Sequence, residues 1–208
     1  MNNEIIILGA GGHGKVVLDI FLCSEKYKVS GLIAKNRTSL MGIPVIGTDD
    51  DLGYIYKQGI TKAFVAVGDN QIRYRLTSLL KENNFELVTG ISHASYVSKY
   101  TSIGEGTIIM PGSIINSGAS IGKGVIINTN TSIDHDDIIG NFCHIAPGST
   151  LSGNVNVGNF SFLGTSTSVI DNITIGSNVM IGGGTTIIKD IPNNCTAVGV
   201  PAKIIRRG

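Results

Sequence analysis

From Ile91 to Ile187 an aliphatic residue recurs at every sixth position without a break: Ile91, Val97, Ile103, Ile109, Ile115, Ile121, Ile127, Ile133, Ile139, Ile145, Leu151, Val157, Leu163, Val169, Ile175, Ile181 and Ile187. A small or β-forming residue follows four positions later in most repeats, as at Thr107, Ser113, Val125, Thr131, Ser149, Ser161 and Thr167. Gly often follows the aliphatic directly, as at Gly104, Gly122, Gly140, Gly158, Gly164, Gly176 and Gly182. A period of six matches neither the helical repeat nor the alternation of a two-sided strand. It predicts a parallel β-helix in which each hexapeptide lays down one flat side of a three-sided coil. The aliphatic points into the prism. Gly and polar residues take the corners, where tolerance of positive φ accounts for the 28 Gly and the Asn excess. Seventeen repeats at three per coil give nearly six coils.

Residues 1–88 carry a different pattern. Glu4–Leu8 is a short apolar run, read as a buried parallel strand. Gly9-Ala10-Gly11-Gly12-His13-Gly14 follows, and then an apolar-rich helix from Lys15 to Leu22. Val29–Ile33 and Ala63–Val67 read as further strands, Ile43–Gly47 as a loop or short edge strand, 49–57 as a helix capped by Thr48, and Ile72–Lys81 as an amphipathic helix. Alternating strands and helices imply a small, Rossmann-like α/β sheet. Phe85–Thr89 leads directly into the first coil. The expected organisation is an α/β domain over 1–88, a β-helix over 89–190, where Pro192 breaks the register, and a tail over 191–208.

A net charge of +1 gives no field that would draw the chain to nucleic acid or an anionic membrane. The apolar run at Ile5–Leu8 is too short for a membrane span or signal peptide. Cys23, Cys143 and Cys195 are too few and too scattered for a disulfide framework, and Cys143 falls on a core position of its repeat. A cytoplasmic location is the expectation.

Gly9, Gly11 and Gly14 match G-x-G-x-x-G between a strand and a helix, a place where free backbone N–H groups bind phosphate. A dinucleotide reading also needs a carboxylate about twenty residues on. Ala34-Lys35-Asn36 stands there instead, so a phosphate of some other ligand is favoured over NAD, with a ligand-free tight turn as the bland alternative. His13 within the loop either donates to a ligand oxygen or caps the turn.

In the repeat, chemistry must come from what breaks the pattern, and the most conspicuous break is Ile133-Asp134-His135-Asp136-Asp137-Ile138. A carboxylate beside His raises its basicity and fixes its tautomer, which prepares a general base. His135 is expected on an outer corner amid three carboxylates, and His144, nine residues on, on another corner. Gly153 lies one 18-residue coil after His135 and is a candidate backbone donor to an oxyanion.

The segments Gly9–Gly14, Ala66–Arg73, Asn128–Asp136 and Val198–Lys203 together resemble one family over essentially the whole chain. It is the family of hexapeptide-repeat sialic acid O-acetyltransferases and UDP-amino-sugar N-acetyltransferases, with the bacillosamine-pathway members nearest. The resemblance implies a left-handed β-helix and acetyl-CoA as co-substrate, with no metal. It implies a homotrimer with active sites at subunit junctions. It assigns the base to His135 and its acidic neighbour to Asp136. It implies sugar-nucleotide contacts at Gly11, Gly12, His13 and Gly68. Acetyl-CoA contacts are implied at His144 and Gly153, with the pantetheine arm along Gly164, Thr165, Gly182 and Gly183. UDP-sugar members carry acidic residues after the second strand to read uracil, and Ala34-Lys35-Asn36 departs from that pattern. Outward apolar residues such as Ile108, Ile114 and Ile126 are the expected trimer faces.

N-acetylation of a nucleotide amino sugar leads, and O-acetylation of sialic acid or another sugar hydroxyl is the alternative. A zinc enzyme of the γ-carbonic anhydrase type shares the β-helix, but its three-His site is poorly matched by His135, His144 and His93. A noncatalytic scaffold would not need the acid-rich corner.

Overall fold

The computed structural model describes residues 3–208, in two compact units, one ending at Gly90 and one of Ile91–Gly208. In the first, β1 (Glu4–Leu8) is followed by α1 (Gly12–Leu22), β2 (Lys28–Ile33), β3 (Ser39–Leu40), β4 (Ile43–Gly47), α2 (Leu52–Lys57), β5 (Lys62–Val65), α3 (Asn70–Glu82) and β6 (Glu86–Leu87). The sheet order is β3-β4-β2-β1-β5-β6, parallel except for the β3–β4 hairpin. Central β1 is buried from Ile5 to Leu8, as its unbroken apolar run requires. Its carboxyl end feeds the Gly-rich loop.

Several readings of this unit change, among them the start of α1, which is Gly12 rather than Lys15. β4 lies inside the sheet, because β3 pairs outside it. Residues 85–89 do not run straight into the coil, since β6 first adds a parallel strand beside β5. α3 starts at Asn70, where the Asp69 side chain caps it by accepting from the Ile72 N–H at 2.8 Å.

The second unit is a left-handed parallel β-helix. Two-residue strands from Gly90–Ile91 to Thr186–Ile187 recur every six residues on three faces, and up to Ser168–Val169 each pairs with the strand eighteen residues on. The aliphatics form internal columns, such as Ile115–Ile133–Leu151–Val169–Ile187, that are at most 2% exposed. Each such side chain contributes about 1.5–3 kcal/mol by leaving water. Only the first coil is open, with Ile91 exposed and Val97 and Ile103 half-buried. Cys143 is buried within the core, as expected.

Glycine has two separate uses in the coil. The left-handed corner residue stands three positions after the aliphatic, at 106, 112, 118, 124 and onward to 184 without a gap. Six of these positions hold Gly and four hold Asn, with Asp136, Phe142, Phe160 and Ser166 filling the rest. The Gly directly after the aliphatic serves stacking instead: a Cβ on Gly140 would lie 2.7 Å from the Asn159 backbone nitrogen of the next coil. Phe142 and Phe160 bear left-handed strain of about 1–2 kcal/mol each, offset by stacking of their rings at 5.5 Å.

The repeat also runs further than its period suggests. Ile191 bridges to Ile175 and Ala197 pairs with Ile181, each sixteen residues on rather than eighteen. The strand Cys195–Val198 therefore extends one face, and Lys203–Arg207 folds back antiparallel on it. Val200–Pro201 is cis. Among the expected trimer-face residues Ile114 is 44% exposed, but Ile108 and Ile126 are already buried within the single chain. No helix among the described residues is long and apolar enough to cross a membrane.

Candidate active site

His135 stands on the corner between the face carrying Ser132–Ile133 and the face carrying Ile138–Ile139. Asp136 beside it adopts φ +62°, a left-handed turn that an aspartate tolerates. That turn brings Asp136 Oδ2 to 2.9 Å from His135 Nδ1. The carboxylate accepts the Nδ1 proton, which leaves the Nε2 lone pair without a partner among the described residues. The bond to Asp136 is the main cause that raises the His135 pKa above its ordinary value.

The three carboxylates do not all surround the imidazole, as the sequence had suggested. Asp134 turns to the backbone: its Oδ1 accepts from the His135 N–H at 2.8 Å and from Asn116 Nδ2 at 2.9 Å. The Asn116 bond first, and the backbone bond second, hold its pKa below the usual carboxylate value. Asp137 points inward and is fully buried, so burial pushes its carboxyl up to about 7. Only Asp136 touches the ring.

Gly153 lies directly beneath the imidazole. A Cβ there would sit 2.5 Å from His135 Nε2, so the ring occupies the space a side chain would need. The Gly153 carbonyl accepts from the Asn172 N–H, while the Gly153 N–H finds no acceptor among the described residues.

His144 is not on a corner. It is the outward residue of the strand His144–Ile145, with Nε2 3.0 Å from Asn128 Nδ2 and its ring edge-on to Phe162. Gly164 and Gly182 stack one coil apart on the corner that follows this face, where Thr165 and Gly183 are exposed. At Gly164 and Gly182 a Cβ would strike the neighbouring backbone or Val198, so stacking alone accounts for glycine at both. The His135–Asp136–Gly153 group and the Gly164–Thr165–Gly182–Gly183 group thus occupy different edges of one prism, with His144 on the face that leads into the second. The face bearing Ser132, Thr150 and Ser168 separates them.

In the α/β unit, Gly11 is the N-cap of α1 and Gly12 its first residue. Gly9, at φ +109°, and Gly14 are fixed by backbone packing, since a Cβ would strike Ala66 O and Gly9 O respectively. At Gly11, Gly12 and Gly68, by contrast, a Cβ would meet nothing within 4 Å. The first turn of α1 has neither an acidic residue nor a side-chain cap. His13 is half-buried, and burial, then the Arg73 charge, lowers its pKa to about 4. It is therefore neutral at pH 7. Arg73, 1% exposed, donates to the Val67 and Gly68 carbonyls and to Asn70 Oδ1, which fixes the second loop. Among the described residues no group of three or more His, Cys, Asp or Glu is placed to hold a metal ion.

Asn116, Asn128 and Arg73 were given no role from sequence, and Asp137 was placed beside the imidazole rather than in the core. Asp137 had a signal: it is the one charged residue in the series of small inward positions that includes Thr131, Cys143 and Ser149.

Residues 4–80 match the PglD N-terminal domain family, and residues 100–135 match the bacterial transferase hexapeptide family (six repeats). PerB from Caulobacter crescentus, solved in complex with CoA and GDP-perosamine, is 37% identical, with 98% of this chain and 97% of that one covered and a TM-score of 0.95. The acetyltransferase domain of PglB from Neisseria gonorrhoeae FA1090 is 36% identical over 98% of this chain and 100% of that one, with a TM-score of 0.94. The UDP-N-acetylbacillosamine N-acetyltransferase of Bacillus subtilis strain 168 is 34% identical over 120 residues, which is 51% of each chain. The chain spans 21% to 51% of the length of the relatives matched by sequence.

Proposed function

The chain belongs to the hexapeptide-repeat sugar acyltransferases, the family of the sialic acid O-acetyltransferases and UDP-4-amino-sugar N-acetyltransferases, and from that premise we propose that it transfers the acetyl group of acetyl-CoA to the amino group of a nucleotide-linked amino sugar. The observation that carries the reading is the His135 corner. A neutral imidazole whose Nδ1–H is held by Asp136 presents Nε2 as a base. N-transfer is favoured over O-transfer because two of the similar proteins, from Bacillus subtilis and Caulobacter crescentus, are named as N-acetyltransferases.

His135 Nε2 takes the proton that the sugar amine sheds as its nitrogen bonds to the thioester carbonyl carbon. Asp136 stabilises the imidazolium that results. The Gly153 N–H stands ready for the negative charge that develops on the carbonyl oxygen. When the C–S bond breaks, His135 returns its proton to the departing thiolate. No covalent enzyme intermediate is required, since Cys143 is buried.

Thr165 and Gly183 are exposed along one corner and suit the pantetheine arm, with His144 beside it. That corner and the His135 corner are different edges of the prism, and edges of neighbouring prisms meet in a threefold assembly, which supports a homotrimer. Gly11, Gly12, His13 and Gly68 suit the acceptor's nucleotide, because three of them leave backbone open where the fold does not need glycine. Ala34-Lys35-Asn36 offers no carboxylate to a base.

The deciding experiment measures acetyl-CoA consumption with UDP-, GDP-, dTDP- and CMP-linked amino sugars and with free sialic acids. Turnover confined to amino sugars on a nucleotide is expected. Turnover only with sialic acids would move the reading to O-acetylation, and none with any acceptor would refute both.

A further inference from the structure

In most coils the inward position four residues after the aliphatic holds a small side chain that ties one coil to the next. Thr107 Oγ1 accepts from the Val125 N–H at 3.0 Å and Ser161 Oγ from the Val179 N–H at 3.0 Å, each partner eighteen residues on. Asp137 occupies the same position and accepts from the Val155 N–H at 2.7 Å through Oδ1. The Thr167 and Thr185 hydroxyls at this position also reach back along their own corners, but they donate to the Gly164 and Gly182 carbonyls. Asp137 Oδ2 instead accepts from the Asp134 N–H at 3.1 Å.

The consequence is local to the chemistry. Asp134 in turn holds the His135 N–H at 2.8 Å and is held by Asn116 from the coil before. Val155 follows Gly153 by two residues, and the intervening Asn154 N–H donates to the His135 carbonyl at 2.9 Å. One buried carboxyl therefore binds the segment that carries His135 to the segment that carries Gly153. The lower segment gives His135 room only because Gly153 lacks a Cβ.

We propose that Asp137 is a positioning residue for the acetyl transfer: its buried carboxyl, bridging the Asp134 and Val155 N–H groups, sets the imidazole of His135 over Gly153. The inference rests on the assignment of His135 as the base. A burial cost supports it. A carboxyl withdrawn from water is expensive where Thr or Ser would fill the same space, and its elevated pKa of about 7 records that cost. The ionisable groups on its own corner are Asp134, His135 and Asp136, and Cys143 follows at the next inward position. The corners stacked on either side carry Asn116, Ser117 and Gly118, and Ser152, Gly153 and Asn154, none of which titrates.

Two variants separate positioning from packing. Asp137→Ser keeps an acceptor for Val155, as Ser161 does for Val179, but is too short to hold Asp134. Asp137→Asn keeps the shape and sets an amide donor against one of the two N–H groups. Both are compared with His135→Ala for thermal melting, kcat and the KM of each substrate. The expected result for both is a kcat lower by about tenfold to a hundredfold, the scale of a misplaced reacting group, with both KM values unchanged. For Asp137→Ser the melting temperature does not fall below wild type, so the proposal does not depend on how Asp137→Asn folds. Wild-type kcat in folded Asp137→Ser overturns the positioning role while leaving the base intact. Substrate KM values that rise with an unchanged kcat also overturn it. Wild-type turnover in His135→Ala removes the base assignment itself, and the role of Asp137 with it.

Discussion

Replacing Gly153 by alanine puts a methyl group where the His135 ring now lies. The added Cβ falls 2.5 Å from His135 Nε2 and 3.0 Å from Nδ1, where ordinary contact begins at 3.4 Å. The imidazole must therefore retreat by about 1 Å, and a displacement of that size in a reacting group costs on the order of 10² in rate. The same movement strains the 2.9 Å bond to Asp136 that keeps the Nε2 lone pair available. The backbone N–H of residue 153 survives the substitution, so the loss belongs to the base and not to the oxyanion donor. Folding should be nearly unaffected, because His135 is exposed and yields without repacking the core. Steady-state assays on the purified variant should show kcat reduced about a hundredfold with the acetyl-CoA KM little changed, and a melting curve near wild type. Wild-type kcat from a well-folded Gly153→Ala protein would refute the placement of the chemistry at this corner.

Asp136→Asn removes the bond that chiefly raises the His135 pKa, so the acidic limb of the kcat/KM profile should move to lower pH while kcat falls less than in His135→Ala. Two groups should bend stability with pH in opposite senses. Asp137 keeps its proton in the folded chain up to about 7, so it lowers stability as pH rises from about 4 to 7, whereas His13 resists protonation down to about 4 and lowers stability as pH falls through the same range. Melting curves against pH should lose the first slope in Asp137→Ser and the second in His13→Gln. Gly12→Ala should raise the acceptor KM and leave the acetyl-CoA KM unchanged, because its Cβ meets nothing in the free chain yet would block close approach of a phosphate to the backbone; a rise in the acetyl-CoA KM alone would show the loop has been given the wrong ligand. Light scattering should report about three times the 21.8 kDa chain mass, and a stable monomer at micromolar concentration would contradict the trimer.

The β-helix was legible because each coil must bury the same three columns, so the core writes its period directly into the chain. The tail was not, because the contraction from eighteen to sixteen residues at Ile191 and Ala197 breaks the count although the pairing continues. His144, Ile108, Ile114 and Ile126 all stand one residue before an aliphatic, so all point outward from a strand. The period gives that direction, and His144 could have been placed on a face from it. It does not say which outward residues stay in water: Ile108 and Ile126 are buried while Ile114 is exposed. Asp137 was misplaced for a different reason. A carboxylate beside a histidine invites an electrostatic reading, but its register puts it in the core, and there the period outweighed the charge.

Glycine shows how scaffold and site can be told apart within one chain. Gly140 and Gly164 are required by coil stacking and Gly9 and Gly14 by the packing of the loop, so none of these needs a ligand to account for it. Gly153 is required by another side chain, and that side chain is the proposed base. Gly11, Gly12 and Gly68 are required by nothing in the chain, although each costs conformational entropy that alanine would not. Open backbone at the start of α1, with no acidic residue and no side-chain cap, is what the approach of an anionic group demands. Gly11, Gly12 and Gly68 therefore support the proposal of a phosphate-bearing acceptor, since no neighbour in the chain fills the space of their missing Cβ.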